Sequence, residues 1–123
     1  MINGKPIDCG SDYFAPAEFE RCLPACKKSD MNPDFLLRLN WLRYRYGKPI
    51  ILNSCFRSSD WDKAHGRSGN GYHTLGRACD VRCTHSGLRA ELVRLALDSG
   101  FSVGVHKNFI HLDDRLCQIL FTY

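Results

Sequence analysis

The sequence predicts an α+β fold, in which a small antiparallel sheet has helices packed to one side. Two long stretches carry apolar residues at helical spacing, and three short apolar runs near the carboxyl end are separated by little more than turns. Strands so close in sequence pair most simply in antiparallel fashion. With 123 residues, 44% of them hydrophobic, the chain suffices for one core, so we expect a single domain over residues 1–123.

Two long helices and one short helix are predicted from capping residues and apolar spacing. The first long helix begins after Asn32, a good N-cap residue that is followed by proline, and ends at Gly47. The second has Ser86 as its expected cap and Gly100 as its stop. A shorter helix is expected around residues 16–22.

Short apolar runs predict five strands, and a polar segment separates the first two. The segment, residues 56–71 (FRSSDWDKAHGRSGNG), lacks periodicity, which predicts a long loop. Loops of this length in small domains are usually functional or disordered, and its place directly before a histidine motif favours function. The predicted strands cover residues 49–55, 78–82, 101–105, 109–113 and 117–121.

Charge and hydropathy argue against two kinds of partner. The 17 basic and 13 acidic residues give a net charge of +4 and are dispersed along the chain, so we expect no nucleic-acid partner. No apolar stretch reaches the roughly 20 residues of a membrane span, and the start MINGKPIDCG lacks a signal-peptide pattern. We therefore expect no membrane association and no export signal. We also expect a monomer.

The chain carries seven cysteines, an odd number that cannot all pair within one chain. The spacing of Cys22 with Cys26 and of Cys79 with Cys83 lies within the range of structural zinc sites. On a strand, however, Cys79 and Cys83 stand about 13 Å apart at ~3.3 Å per residue, too far to share one metal ion. Buried reduced thiols are the expectation, and a disulfide formed after lysis or export is the alternative.

Three residues form a candidate metal site. His73 and Asp80 lie seven positions apart in HTLGRACD, and His111 follows in FIHLDD. Two imidazoles and one carboxylate are a ligand set that catalytic zinc uses, with a fourth position left for water. The common HExxH motif is absent. We therefore predict one zinc ion bound by these three residues.

Strand alternation gives the candidate ligands a consistent direction. On a strand, Asp80 faces away from Cys79, so the carboxylate can enter a cleft while the thiol packs in the core. Likewise, His111 and Asp113 share one face of their predicted strand. Asp113 is therefore a candidate partner that orients a ligand ring through a hydrogen bond.

Three ordered strings, SCFRS, SGNGYHTLGRACDVR and GFSVGVHKNFIHLDD, strongly resemble the D-alanyl-D-alanine carboxypeptidase family of zinc peptidases, which includes phage L-alanyl-D-glutamate endolysins. The superfamily also contains lysostaphin and sonic hedgehog. The resemblance covers residues 14–114, nearly the whole chain. It implies a hedgehog/D,D-peptidase-like fold and hydrolysis of a peptide bond involving a D-amino acid in the stem peptides of bacterial peptidoglycan.

The resemblance also implies roles for single residues. In the family, the arginine of an S-x-x-R motif contacts the substrate or the developing oxyanion, which selects Arg57, with Ser54 beside it as a supporting residue. An H-x6-D pair and a later histidine bind zinc, which again selects His73, Asp80 and His111. Arginine suits either task because its guanidinium stays charged and donates several hydrogen bonds.

A metallopeptidase also needs a general base that takes the proton of the attacking water. Relatives commonly have an acidic residue three positions before the last zinc histidine, where this chain has Asn108, which cannot accept a proton. Others use an acidic residue or a histidine five positions before, which is His106 here. Imidazole exchanges protons near neutral pH, so we predict His106 as the base, with Asp113 and Asp114 as further possibilities.

Two functional classes agree with these residues. The first is a cell-wall carboxypeptidase or endopeptidase, exported by another route or released from the cytoplasm during phage lysis. The second is a wall-binding module that keeps the zinc and the fold with little or no catalysis, which the amide of Asn108 motivates. A thiol redox protein is a weaker third possibility, because neither cysteine pair has the C-x-x-C spacing.

Overall fold

Four α-helices and five β-strands make up the fold over residues 5–123, the part of the chain that this computed structural model describes. The first four residues of the segment searched for a signal peptide lie outside it. No helix within residues 5–123 is long and apolar enough to cross a membrane. The helices are α1 (Pro16–Glu20), α2 (Pro33–Tyr46), α3 (Ser59–Ala64) and α4 (Ser86–Asp98), and the strands are β1 (Leu52–Ser54), β2 (Ala78–Arg82), β3 (Ser102–Val105), β4 (Phe109–Asp113) and β5 (Leu120–Thr122).

The strands form one open sheet in the order β1-β2-β4-β3-β5. The pairs β1–β2, β2–β4 and β3–β4 are antiparallel, and the predicted α+β class is confirmed. The last strand differs from the expectation, because β5 runs parallel to β3, with Leu120 opposite Val103. The Gln118 Nε2 donates to the carbonyls of Leu97 and Phe101, both at 2.7 Å, and so anchors the segment before β5 near the start of β3.

One face of the sheet packs against α2 and α4 in the hydrophobic core. Alternation along β2 and β4 places the inward side chains there and turns Asp80 and His111 to the other face. The rings of Phe35 and Phe101 meet edge to face with their centroids 5.6 Å apart. The strands contribute Cys79, Val81, Val103, Ile110 and Leu112 to this core, and the two helices contribute Phe35, Leu39, Leu42, Leu92 and Ala96.

The boundaries of α2 follow the predicted capping residues. The Asn32 side chain accepts hydrogen bonds from the backbone N–H groups of Asp34 and Phe35, at 2.9 and 3.1 Å. Gly47 ends the helix in the left-handed conformation, with φ at 70°, which glycine adopts without a steric penalty. The helix therefore begins and ends where the sequence predicts.

The start of α4 corrects one predicted cap. The Nδ1 atom of His85 accepts the backbone N–H of Leu88 at 3.2 Å, so His85 is the N-cap and Ser86 is the first helical residue. A ring nitrogen without a proton is a hydrogen-bond acceptor, which lets histidine perform a task more often given to serine.

The segment predicted as a long loop contains α3, and that part of the prediction is wrong. Ser58 caps this helix by accepting the N–H of Trp61 at 3.1 Å. Asp60 and Asp62 lie in its first turn, where acidic side chains interact favourably with the helix dipole. Six residues are too few for apolar periodicity to reveal a helix.

The ends of other elements also shift. The strand predicted over residues 49–55 narrows to Leu52–Ser54, and the one predicted over 117–121 begins only at Leu120. The short first helix ends at Glu20. Shifts of this size do not change which face each strand residue occupies.

All seven cysteines are free thiols. Within residues 5–123, no three cysteines bring their sulfur atoms close enough to hold a metal ion together. Cys9 is half-buried and Cys117 is exposed. The other five pack as small apolar side chains, as expected: Cys22, Cys26, Cys55, Cys79 and Cys83.

Candidate metal centre

The three predicted ligands meet on the face of the sheet that α2 and α4 leave open. Asp80 on β2 lies directly opposite His111 on β4 in the antiparallel register. His73 comes from a one-turn 3-10 helix, Tyr72–Leu75. One ligand atom from each residue lies within 4.8 Å of the others, and all three side chains are buried. This group could hold a metal ion.

The His73 ring is oriented by the backbone of the strand next to it. Its Nδ1 contacts the carbonyl oxygen of Cys55 at 2.6 Å. A carbonyl only accepts hydrogen bonds, so Nδ1 carries the proton and Nε2 keeps its lone pair. That lone pair faces Asp80 Oδ1 at 3.5 Å.

The His111 ring is oriented by Asp113, the residue predicted for this task. The Nε2 atom of His111 lies 2.8 Å from Asp113 Oδ2, and Arg115 donates its Nε hydrogen to Asp113 Oδ1 at 2.8 Å. Asp113 is fully buried. Its ionised carboxylate accepts from Nε2, which leaves the Nδ1 atom of His111 to face Asp80 Oδ1 at 3.0 Å.

The geometry fits a zinc ion. His73 Nε2 and His111 Nδ1 face the same oxygen of Asp80, at 3.5 and 3.0 Å, and such atoms repel one another unless a proton or a metal cation lies between them. Nitrogen and carboxylate oxygen atoms are common zinc ligands. Both rings also donate their remaining N–H to an outer acceptor, an arrangement that zinc-binding histidines almost always show.

The acidity of these groups follows from the same contacts. Burial lowers the pKa of His111, but the hydrogen bonds to Asp113 and Asp80 outweigh it and raise that pKa above its ordinary value. Burial raises the pKa of Asp80, and its contacts with His111 and His73 outweigh this effect and lower it. The centre therefore favours a positive charge beside the Asp80 carboxylate, which a divalent cation supplies more strongly than a proton.

Arg57 lies against the other oxygen of the same carboxylate. Its Nη2 donates to Asp80 Oδ2 at 3.2 Å, and its Nε donates to Ser54 Oγ at 3.1 Å. Its backbone N–H donates to the carbonyl of His73 at 3.2 Å. Only 10% of the Arg57 side chain is exposed, so these contacts fix the direction of the guanidinium. The structure thus places Arg57 against Asp80 of the candidate metal centre, with Ser54 beside it.

His106 lies at the turn between β3 and β4 and makes no hydrogen bond to the three candidate ligands. Its ring stacks on Phe109, with the centroids 4.3 Å apart, and meets Tyr123 edge to face at 5.5 Å. Its Nδ1 accepts the backbone N–H of Asn108 at 3.1 Å. In this arrangement the neutral ring carries its proton on Nε2, which is then a donor.

The two aspartates considered as further bases are already paired. Asp113 is held between His111 and Arg115. Asp114 accepts from Arg77 Nε at 2.8 Å. Neither carboxylate is free to accept a proton without breaking an ion pair.

An open cleft of about 720 Å³ leads to Asp80 and Arg57. Apart from Ser54, sequence patterns did not single out its other lining residues, which lie on and after α1, before and on β1, on and after α3, and at the start of β4. The one local signal was Ser58, a capping residue followed by two acidic positions. Besides Arg57, the lining includes Arg21, Arg67, Trp61 and Phe109.

The last strand closes one side of the metal centre. The Phe121 ring on β5 lies against the His111 ring, with the centroids 5.6 Å apart. It also covers Gly104, where an added Cβ would lie 2.5 Å from the Phe121 ring. Glycine at this position therefore lets the aromatic ring pack beside the candidate ligand.

Metal-dependent hydrolases bind their metal ion through buried groups such as this His-Asp-His set, with both rings oriented by outer partners. The adjacent arginine and the open cleft fit the same class of protein. A sequence model of the family Peptidase M15 matches residues 12–113. The chain belongs to this family of zinc peptidases, and the resemblance seen in the sequence is confirmed. A comparison with curated proteins finds no match.

Proposed function

We propose that this protein is a zinc metallopeptidase that hydrolyses a peptide bond involving a D-amino acid in bacterial peptidoglycan. The observation that carries the proposal is the convergence of His73 Nε2, Asp80 Oδ1 and His111 Nδ1, each held in direction by a neighbour. The peptidase family of the chain supports the reaction class. The substrates we propose are the stem peptides of the wall.

When bound, a zinc ion polarises the scissile carbonyl and activates water near neutral pH. Arg57 supplies the chain's own electrostatic contribution, because its guanidinium faces the centre and stays charged. We propose that Arg57 stabilises the negative charge that develops on the carbonyl oxygen, or that it binds a carboxylate of the substrate. Ser54 Oγ accepts the Nε hydrogen of Arg57. The two Nη atoms of Arg57 are then left to point to Asp80 and the cleft.

We retain His106 as the candidate general base, with a structural condition. To accept a proton, the ring must release the N–H of Asn108 or rotate, because the present hydrogen bond leaves a proton on Nε2. The ring lies at the turn between β3 and β4, packed against Phe109 and Tyr123.

The experiment compares zinc-loaded and metal-depleted protein on purified peptidoglycan, with the released peptides and amino acids identified by mass spectrometry. We expect release only with zinc, and none from His73→Ala, Asp80→Ala or His111→Ala protein. His85→Ala, which changes a histidine at the start of α4, is the matched control and retains release. The identity of the released fragments decides between a carboxypeptidase and an endopeptidase.

A wall-binding module is the second candidate, favoured by Asn108 at the position where relatives carry an acidic residue. It predicts tight sedimentation of the zinc-loaded protein with peptidoglycan and no released fragment. That result would contradict the proposed peptidase and support the wall-binding module.

A further inference from the structure

The helix α3 and the loop after it hold a second arginine beside Arg57 in the cleft. Asp62 on α3 is buried, and its Oδ2 accepts the backbone N–H of Gly69 at 3.1 Å. Its Oδ1 has no hydrogen-bond donor within residues 5–123. That oxygen instead lies between two guanidinium groups, at 3.8 Å from Arg57 Nη1 and 3.9 Å from Arg67 Nε.

Trp61, the residue before Asp62, forms a second link between the same two arginines. The guanidinium carbons of Arg57 and Arg67 lie 5.7 and 5.8 Å from the centroid of its ring, within the range of cation–π attraction. The loop is also closely packed on α3, because a Cβ at Gly69 would lie within 2.8 Å of Lys63 and Ser59 side-chain atoms. The positions of the two arginines are therefore fixed by their contacts with Asp62 and Trp61 and by the packing of the loop on α3.

The two arginines differ in what they offer a ligand. The Arg57 side chain is 10% exposed and is bonded to Ser54 and Asp80, whereas 47% of the Arg67 side chain is exposed. Arg57 is paired with both Asp80 and Asp62, whereas the Arg67 guanidinium forms an ion pair with Asp62 alone among residues 5–123, at 3.9 Å. The planar fork of the Arg67 guanidinium matches a carboxylate, which it can bind through two parallel hydrogen bonds.

Position along the cleft indicates which part of a substrate Arg67 meets. Arg57 contacts the candidate metal ligand Asp80, which by the proposed function puts it next to the scissile bond, and Arg67 shares Trp61 and Asp62 with Arg57 but forms no ion pair with a candidate ligand. An extended peptide advances about 3.3 to 3.6 Å per residue, and the arginine side chain adds its own reach. Because Asp62 Oδ1 lies 3.8 Å from Arg57 and 3.9 Å from Arg67, the two guanidinium groups are at most about two extended residues apart, and Arg67 can reach a carboxylate on a residue next to the scissile bond.

We propose that Arg67 is a specificity-determining residue that binds a free carboxylate of the substrate next to the scissile bond. This inference rests on the proposed peptidase function. In a stem peptide, such a carboxylate is either the terminal group of the last D-alanine or the α-carboxylate of a γ-linked D-glutamate. Both present the same chemistry to the guanidinium, and the experiment distinguishes them.

The kinetic test uses zinc-loaded protein and synthetic stem peptides in four forms, with a carboxylate or a carboxamide at each of the two positions. Amidation at the recognised position should lower kcat/KM of the wild type about ten- to hundredfold, the usual worth of a hydrogen bond to a charged group. Arg67→Gln should remove this discrimination by lowering kcat/KM of the acid peptide to the level of the amide peptide, with the zinc content unchanged. Arg94→Gln, an exposed arginine on α4, is the control and keeps the discrimination.

A binding test does not depend on turnover. The chain has two tryptophans, so Trp41→Phe leaves Trp61, which touches both guanidinium groups, as the only indole reporter. The fluorescence of Trp61 is recorded while N-acetyl-D-alanine or N-acetyl-D-glutamate γ-methylamide is added. The affinity for each acid is compared with the affinity for its α-carboxamide. We expect tighter binding of one acid than of its amide, and loss of that difference in Arg67→Gln.

The outcomes separate the two proposals. Cleavage of acid and amide peptides at equal rates, or the same discrimination in Arg67→Gln as in the wild type, would overturn the role of Arg67 and leave the peptidase standing. Selective binding of an acid through Arg67 without cleavage of any peptide would support the carboxylate site and overturn the proposed reaction.

Discussion

The Nε2 atom of His111 donates to Asp113 Oδ2 over 2.8 Å, and this contact decides which ring nitrogen faces Asp80. Arg115 in turn holds the carboxylate of Asp113. The direction of the His111 ring is therefore set by a residue two positions further along the chain, outside the three candidate ligands. A candidate ligand on an antiparallel strand thus obtains its orienting partner from the same strand face.

Replacing Asp113 by asparagine should weaken zinc binding about ten- to hundredfold, the usual effect of losing an outer partner of a ligand. The amide is a weaker acceptor and removes the negative charge that raises the basicity of His111. Competition with a chromogenic chelator measures the affinity. Asp114→Asn is the control, because Asp114 pairs with Arg77 and should leave the affinity unchanged. Equal affinities in the two variants would contradict the role of Asp113.

Asp113 should also shape the acid stability of the metal-free protein. Burial raises its pKa, but hydrogen bonds from Arg115 and His111 outweigh this and lower it from 3.8 to about 2. A folded pKa below the unfolded one stabilises the protein above pH 3.8, and this stabilisation is lost as the pH falls through about 2. At 1.36 kcal/mol per unit, the shift corresponds to about 2 kcal/mol.

Urea unfolding at several pH values between these two limits measures that contribution. The wild type should lose about 2 kcal/mol more of its unfolding free energy than Asp113→Asn over the interval. The raised pKa of His111 keeps this ring protonated throughout, so it does not contribute to the difference. Parallel pH profiles for the two proteins would show that the ion pair does not stabilise the fold.

Arg57→Lys should lower kcat about a hundred- to thousandfold, the range for removal of one oxyanion donor. Lysine keeps the charge but cannot contact Ser54 and Asp80 with one planar group as Arg57 does. Zinc content, measured by atomic absorption, should stay at the wild-type level. Ser54→Ala removes only the contact to Nε and should cost less than about tenfold. Wild-type turnover in Arg57→Lys would exclude a catalytic arginine.

The sequence identified the three residues of the candidate metal centre, which the structure brings together, but not the cleft that leads to them. His73, Asp80 and His111 could be identified because strand alternation and the family motifs both constrain them, and long helices such as α2 have clear caps. Residues on α3 escaped notice, because a six-residue helix has no measurable periodicity and its stability comes from packing. Arg67 had no motif, and only its shared contact with Asp62 in three dimensions revealed it.

The direction of β5 was also outside the reach of sequence patterns. Closeness in sequence favoured an antiparallel partner for it, yet β3 is already paired with β4 on one side and offers only its outer edge. The hydrogen bonds of Gln118 to Leu97 and Phe101, and that of the Ile119 N–H to Ser102 Oγ, hold the segment before β5 beside the start of β3. Such tertiary contacts are not encoded in local propensity.

Replacing His106 by alanine should lower kcat by at least about a hundredfold if the ring accepts the proton, with zinc content unchanged. Lys107→Ala, in the same turn, is the control and should retain turnover. Steady-state kinetics on a synthetic stem peptide near neutral pH measures both variants. More than a tenth of wild-type kcat in His106→Ala would remove the ring from proton transfer and leave it a packing contact of Phe109 and Tyr123.

Gly104→Ala should destabilise the protein by about 1 to 3 kcal/mol, the usual penalty for overpacking. The new methyl group would lie 2.5 Å from the Phe121 ring, so the ring must move away from His111, which it now contacts. Urea unfolding of Gly104→Ala, Phe121→Ala and the double variant tests this cause. In the Phe121→Ala background the alanine at position 104 should cost much less, because the clashing ring is gone. Additive effects of the two changes would show that the penalty arises elsewhere, and that β5 does not depend on this glycine to reach the metal centre.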